Sequence, residues 1–155
     1  MIALIVAYDR NRLISNNGQM PWYIEGELDR FKELTIGNVV IMGRKTYECI
    51  KKPLAKRFNI VVSRSNNYEA DNCITLRSLD DALEYAKGKD IYIIGGASLY
   101  QEVLDIVDVM YITEIDASFT GDVYFPEFDE SKYIKIIDKK VDGLIPYTYL
   151  TYTKK

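Results

Sequence analysis

The sequence predicts an α/β fold: a mostly parallel sheet covered by helices, with an antiparallel C-terminal edge. Three observations carry this. Continuous apolar runs such as Ile2–Tyr8 and Val39–Met42 suit strands buried on both faces. Helical segments separate the early strands, as parallel crossovers require. The last two segments, Tyr133–Val141 and Tyr147–Thr153, flank Asp142-Gly143 without a helix between them and read as a hairpin. With 155 residues the chain can bury a substantial core, and we read 1–155 as one domain.

Composition removes several functional classes. A net charge of −3 provides no global field for nucleic acid or anionic membrane. Met1–Tyr8 is apolar but too short to span a bilayer and has no basic region before it, so it reads as a strand. Cys49 and Cys73 lack C-x-x-C spacing, which with no secretion signal points to a reduced, cytoplasmic setting. The chain contains no histidine. Ser-His-Asp and Cys-His catalysis are therefore excluded within it, the commonest metal ligand is missing, and no metal site is expected. Chemistry must come from carboxylates, hydroxyls, tyrosines, lysines or an external cofactor.

After the first strand, Asp9–Met20 is a polar loop with the turn sequence Asn16-Asn17-Gly18. A loop of this length is more often functional than incidental, as a lid for example; a plain surface excursion is the alternative. Pro21 then leads into a predicted helix that stops near Gly37 or Asn38. At about 100° per residue, Ile24, Glu27, Leu28, Phe31, Leu34 and Thr35 share an arc of roughly 120°. Glu27 is the one ionisable residue in that stripe, while Glu25, Asp29, Arg30, Lys32 and Glu33 point elsewhere. Burying a lone carboxylate is costly unless it is paired or protonated. Glu27 thus suits a nitrogen-rich ligand or a proton-handling role; a structural carboxylate that accepts backbone hydrogen bonds fits the wheel as well.

Val39–Met42 is the second buried strand, and Gly43 leads into a short helix from about Arg44 to Ile50. A glycine, two cations (Arg44, Lys45) and the Thr46 hydroxyl at a helix start are what a phosphate needs, although an ordinary turn with exposed cations has the same composition. The third strand, Asn59–Val62, ends in Ser63-Arg64, a hydroxyl and guanidinium able to clasp a second phosphate. Beyond the loop Ser65–Asp71, Ile74–Leu76 is a short strand and Leu79–Ala86 a helix with Asp80 and Asp81 near its start. Asp90–Tyr100 repeats the strand–turn–helix pattern, and Gly95-Gly96 allows close backbone approach. The G-x-G-x-x-G fingerprint is absent. Val109–Ile115 is a further strand, followed by a turn at Gly121-Asp122 and a loop closing at Phe125-Pro126. Ligands of such sheets bind beyond the carboxyl ends of the strands, so the junctions at Gly43, Ser63 and Gly95 should line one nucleotide-shaped edge.

Taken together, these segments resemble the dihydrofolate reductase family over essentially the whole chain. The matching residues are Met20-Pro21-Trp22; Glu27 with Leu28 and Phe31; Val40 to Thr46; Pro53-Leu54 with Arg57; Ile94-Gly95-Gly96 with Tyr100; Thr113; and Gly121-Asp122 with Phe125-Pro126. The resemblance implies eight strands, four helices, and hydride transfer from NADPH to 7,8-dihydrofolate. It implies that Glu27 binds the 2-amino group and N3 of the pterin with Thr113 in support, and promotes protonation at N5, with Trp22 and Tyr100 also in the catalytic set. Ile5, Leu28, Phe31, Ile50, Leu54 and Ile94 would wall the substrate, and Arg57 would pair with its α-carboxylate. Gly43, Arg44, Lys45, Thr46, Ser63 and Arg64 would hold the cofactor phosphates. Ala7, Ile14, Met20, Gly95, Gly96, Ala97, Ser98, Leu99 and Tyr100 would border the rest of the cofactor, with the Gly95–Gly96 peptide expected to be cis. The lid would be Asn11–Met20, including Ser15, Asn16, Asn17 and Gly18, held by Asp122.

The chain departs from the family pattern in three places. Its acid is Glu where bacterial members commonly have Asp, Ser98 stands where some place another phosphate-binding Arg, and Gly26 loosens the turn beside the acid. The resemblance also implies a monomer open to antifolate inhibitors such as methotrexate. Its rivals are a same-fold NADPH reductase of flavin biosynthesis, which needs no Glu27–Phe31–Arg57 site, and a non-catalytic nucleotide-binding module.

Overall fold

In the computed structural model, which describes residues 1–65 and 67–155, the central strands are buried along most of their length, with side chains sent alternately to two covered faces. The strands are β1 (Ile2–Tyr8), β2 (Leu13–Ser15), β3 (Val39–Gly43), β4 (Phe58–Val62), β5 (Ile74–Leu76), β6 (Ile91–Gly95), β7 (Val109–Ile115), β8 (Val123–Tyr124), β9 (Tyr133–Val141) and β10 (Tyr147–Lys154). The helices are α1 (Asp29–Thr35), α2 (Arg44–Ile50), α3 (Leu79–Tyr85) and α4 (Ala97–Val103). Eight strands form one sheet in the order β5-β4-β3-β6-β1-β7-β10-β9, parallel except where β10 pairs with β7 and β9. The predicted fold class is the observed one.

Leu4, Ile41, Ile60, Ile93 and Ile112 pack on one face with Leu79 and Ala82 of α3 and Leu99 and Val103 of α4. On the other face, Ala3, Val40, Met42, Val61 and Tyr92 pack with Tyr47 of α2 and Leu34 of α1. Residues neighbouring in sequence thus face opposite layers, which is why the central strands read as unbroken apolar runs. Ser78 caps α3 by accepting from the Asp81 N–H at 3.0 Å, a contact of about 1 kcal/mol.

Several expectations need correction. The predicted helix from Pro21 is largely absent: α1 starts at Asp29, and residues 25–28 form turns in which Gly26 has φ +82°. A left-handed residue ends helical continuity, and glycine bears it without steric cost. Leu28, placed on the buried stripe, is 47% exposed. Arg30, placed outward, is half-buried. The loop Asp9–Met20 contains β2, which pairs with β8 as a separate two-stranded ribbon; strands this short carry no periodicity to read. A single 3-10 turn, Glu130–Lys132, precedes β9. Asn66, inside the loop read as Ser65–Asp71, lies outside the described residues.

Candidate active site

Strand register brings the loops after β3, β4 and β6 to one edge: Gly43 pairs with Val62, and Met42 with Gly95. From there a cleft of about 1400 Å³ extends past α1, α2 and the start of α4. It is lined by nearly all the residues the sequence singled out, among them Ile5, Ala7, Ile14, Glu27, Phe31, Thr46, Ile50, Leu54, Arg57, Ser63, Ile94, Ser98 and Thr113. Trp22, Asn16 and Asn17 do not line it.

One end of the cleft is made of backbone. The Gly95–Gly96 peptide is cis. A Cβ on Gly95, whose φ is +135°, would lie 3.2 Å from Thr46 Oγ1, and one on Gly43 would lie 3.7 Å from the Gly96 nitrogen. These glycines form a shelf of bare backbone; a Cβ is crowded out only at Gly95, and at Gly43 and Gly96 it would meet its neighbours at ordinary contact distance. Below it the Tyr100 hydroxyl, fully buried and pushed up by burial, donates to the Ile5 carbonyl at 2.8 Å. Cations gather at the rim. Arg44 is held by Glu48 at 2.7 Å with its guanidinium 4.2 Å above the Tyr68 ring, while Lys45 and Arg64 are exposed.

The other end is made of side chains. Glu27 is 4% exposed, and burial pushes its carboxyl up to about 7. The Trp22 indole N–H draws it partway back, yet among the described residues it makes no direct hydrogen bond and is a buried donor without a partner. A buried carboxyl facing an orphaned donor is a pair of groups that a polar substrate atom or bridging water completes. Trp22 itself packs behind the cleft with Ile115, Tyr147 and Tyr149. Thr113 is buried on β7 and lines the cleft, without a hydrogen bond to Glu27 among the described residues. Arg57 donates from Nε to Thr35 Oγ1 at 2.8 Å, and its guanidinium lies 5.7 Å from the Phe31 ring. Thr35 in turn donates to the Phe31 carbonyl at 2.6 Å. Nε being used up there, the two terminal nitrogens remain for a carboxylate.

Over the middle lies the loop Asn11–Met20. The Asp122 N–H donates to the Ser15 carbonyl at 3.1 Å, and Asp122 Oδ1 accepts from the Asn17 N–H at 3.2 Å. A Cβ on Gly121 would sit 2.5 Å from the Ser15 oxygen, so this seam requires glycine. At the tip, the Cys49 thiol of α2 donates to the Gly18 carbonyl at 2.6 Å. Asp9, fully buried, anchors the base by accepting from the N–H groups of Asn11, Leu13 and Phe119 at 2.8–2.9 Å.

Sequence reading missed Asp9 and Asn59, both buried positioning residues. Asn59 accepts from the Leu54 N–H and donates to the Leu54 and Arg57 carbonyls, fixing the loop that presents Leu54 and Arg57. A polar residue opening an apolar strand was the available signal. Arg77 and Ser78, at the carboxyl end of β5, also line the cleft and were missed, as were Arg30 and Tyr111.

Comparison with known proteins gives a consistent result. The family model described as dihydrofolate reductase matches residues 1–154. The dihydrofolate reductase of Bacillus subtilis is 42% identical over 161 residues, covering 100% of this chain and 95% of that protein. That of Staphylococcus aureus is 34% identical over 158 residues, covering 99% and 98%. Among solved structures, dihydrofolate reductase from Enterococcus faecalis, complexed with NADP(H) and RAB-propyl, superposes with a TM-score of 0.94 at 34% identity, covering 100% of this chain and 96% of that one.

Proposed function

The chain belongs to the dihydrofolate reductase family, and we infer that its cleft catalyses NADPH-dependent reduction of 7,8-dihydrofolate to 5,6,7,8-tetrahydrofolate. The observation that carries this is Glu27, a buried carboxyl near neutrality in the same cleft as a glycine shelf. The residues present fit the cofactor: Gly43, Gly95 and Gly96 offer a shelf of bare backbone, crowded against a Cβ at Gly95, beside the exposed cations Arg44, Lys45 and Arg64. When bound, NADPH supplies the hydride that C6 of the pterin accepts.

The chain's own residues supply orientation, a dry pocket and a proton. Glu27 binds the pterin 2-amino group and N3, and its shifted acid group promotes protonation at N5. Thr113 supports the same edge of the ring. Ile5, Leu28, Phe31, Ile50, Leu54 and Ile94 exclude water from the ring and its aminobenzoyl extension. Arg57, steadied by Thr35, takes the α-carboxylate of the glutamate tail. At the other end Arg44, Lys45, Thr46, Ser63 and Arg64 hold the phosphates, and Ala7, Ile14, Met20, Ala97, Ser98, Leu99 and Tyr100 border the remainder. The lid residues Ser15 to Gly18, tied to Asp122, close the site.

We read residues 1–155 as one domain acting as a cytoplasmic monomer, with antifolates competing at the pterin end and no nucleic-acid partner. Among the described residues, no helix is long and apolar enough to cross a membrane. The test is loss of NADPH absorbance on adding dihydrofolate, with and without methotrexate. Inhibitable oxidation is the expected result; bound NADPH without oxidation would assign the cleft to another substrate or to a module without turnover.

A further inference from the structure

Arg30 opens the path to an inference that rests on the reading just given. It belongs to the first turn of α1, yet its side chain is only 13% exposed. The guanidinium donates to Asp138 Oδ2 at 2.9 Å, the Leu150 carbonyl at 3.0 Å and Thr151 Oγ1 at 2.8 Å. It also lies 5.2 Å from the Tyr111 ring centre and 5.1 Å from that of Tyr149. Asp138 is within reach because of a bulge: Tyr149 pairs with Lys139 and Leu150 with Ile137, so Asp138 is the extra residue of β9. Bulges re-aim side chains in this way. The Thr151 hydroxyl donates to the same carboxylate oxygen at 2.5 Å.

The Tyr149 ring, held against this guanidinium, extends its hydroxyl to the carbonyls of Glu27 at 3.0 Å and Gly26 at 3.2 Å. Those are the residues where the left-handed Gly26 keeps the chain out of α1. The turn has little of its own to hold it: the Glu27 N–H reaches Ile24 at 3.3 Å and the Asp29 N–H reaches Gly26 at 3.1 Å. Contacts therefore run unbroken from the β9 bulge through Arg30 and Tyr149 to the peptide that carries the acid. A displacement of about 1 Å in a reacting group is enough to cost a large factor in rate.

We propose that Arg30 and Tyr149, with Asp138 behind them, form a positioning brace that sets the depth of the Glu27 carboxyl in the cleft. Neither residue is catalytic; both act through the Gly26–Glu27 turn. The test is single-turnover hydride transfer in the unmodified protein, Tyr149→Phe, Arg30→Met, Glu27→Gln and the Tyr149→Phe/Glu27→Gln double variant. NADPH Kd, dihydrofolate KM and thermal unfolding are measured for each. Tyr149→Phe should slow hydride transfer by about fivefold to twentyfold with Kd and KM within about twofold. In the Glu27→Gln background the same change should slow it by less than about 1.5-fold, because the brace then has no acid to place.

Hydride transfer at the unmodified rate in Tyr149→Phe, or an equal factor in both backgrounds, overturns the proposal. Should Arg30→Met fail to fold, Tyr149→Phe, which removes a single oxygen, decides the matter. An unmodified protein that cannot oxidise NADPH with dihydrofolate overturns the underlying reading and this proposal with it; an active protein with an indifferent Tyr149→Phe overturns the proposal alone.

Discussion

The two ends of the cleft are built from different materials. At the β3–β6 edge the working surface is peptide: glycines placed by parallel register, with exposed Arg44, Lys45 and Arg64 around them. At the other end it is a set of side chains: the buried Glu27 carboxyl, the Thr113 hydroxyl, Tyr111 and the half-buried Arg57 guanidinium. A surface made of backbone tolerates side-chain changes at its rim and fails when atoms are added. One made of buried side chains fails when a functional group is removed. Cofactor affinity and chemistry should therefore be separable by mutation.

The largest expected effect is on the chemistry. Glu27→Gln should slow hydride transfer at pH 7 by about 10²-fold or more, the scale of a lost general acid. NADPH affinity should stay within about twofold, since the shelf is untouched. In the unmodified protein the step should be flat below about pH 7 and decline above it, as the Glu27 carboxyl gives up its proton there. In the variant that decline should vanish. A stopped-flow pH profile checks both; equal loss of NADPH affinity would break the separation.

Next comes stability. Burial raises the Glu27 carboxyl from its ordinary 4.5 to about 7, so between those values the folded state keeps a proton that the unfolded chain has released. Stability accordingly falls as pH rises through this window, by about 3 kcal/mol in all. Denaturant titrations should find Glu27→Gln more stable than the unmodified protein by about that amount at pH 8 and nearly equal to it at pH 4.5. Equal differences at both pH values would show that the carboxyl is not charged at a cost.

The smallest expected effect falls at the shelf. Gly95→Ala puts a Cβ 3.2 Å from Thr46 Oγ1 at a φ of +135°. The strain costs about 1–3 kcal/mol. NADPH Kd, followed by fluorescence titration, should rise about tenfold or more, while hydride transfer from the saturated complex changes less. A variant that binds normally but transfers hydride slowly would reverse the assignment of the two ends.

What the sequence allowed to be read follows the same division. The parallel half was legible because its signals are local: β1, β5 and β7 have the bounds their apolar runs predicted, and α2 starts at Arg44 immediately after Gly43. The acidic segment was half legible. The wheel picked out Glu27 as buried, which it is, but for a helix that does not exist at that point. Gly26 breaks the periodicity, and the carboxyl turns inward from a tight turn. Arg30 was placed off the buried stripe because a wheel knows only its own helix, and its partners arrive from Asp138 and Thr151, more than a hundred residues later. The ribbon of β2 and β8 was unreadable for a simpler reason: its strands are three and two residues long. The residues to which the resemblance assigned roles line one cleft, except Trp22, Asn16 and Asn17, which stand behind or outside it.

The missing histidine has a practical consequence. In most enzymes, imidazole absorbance and proton uptake crowd the interval around neutrality. Here that interval is free of imidazole, and Glu27 titrates within it. An infrared difference spectrum taken across neutral pH should therefore isolate a carboxylic acid carbonyl stretch against a quiet background. The protein carries its own spectroscopic label on the group we propose as the proton donor, with no isotope or substitution needed to install it.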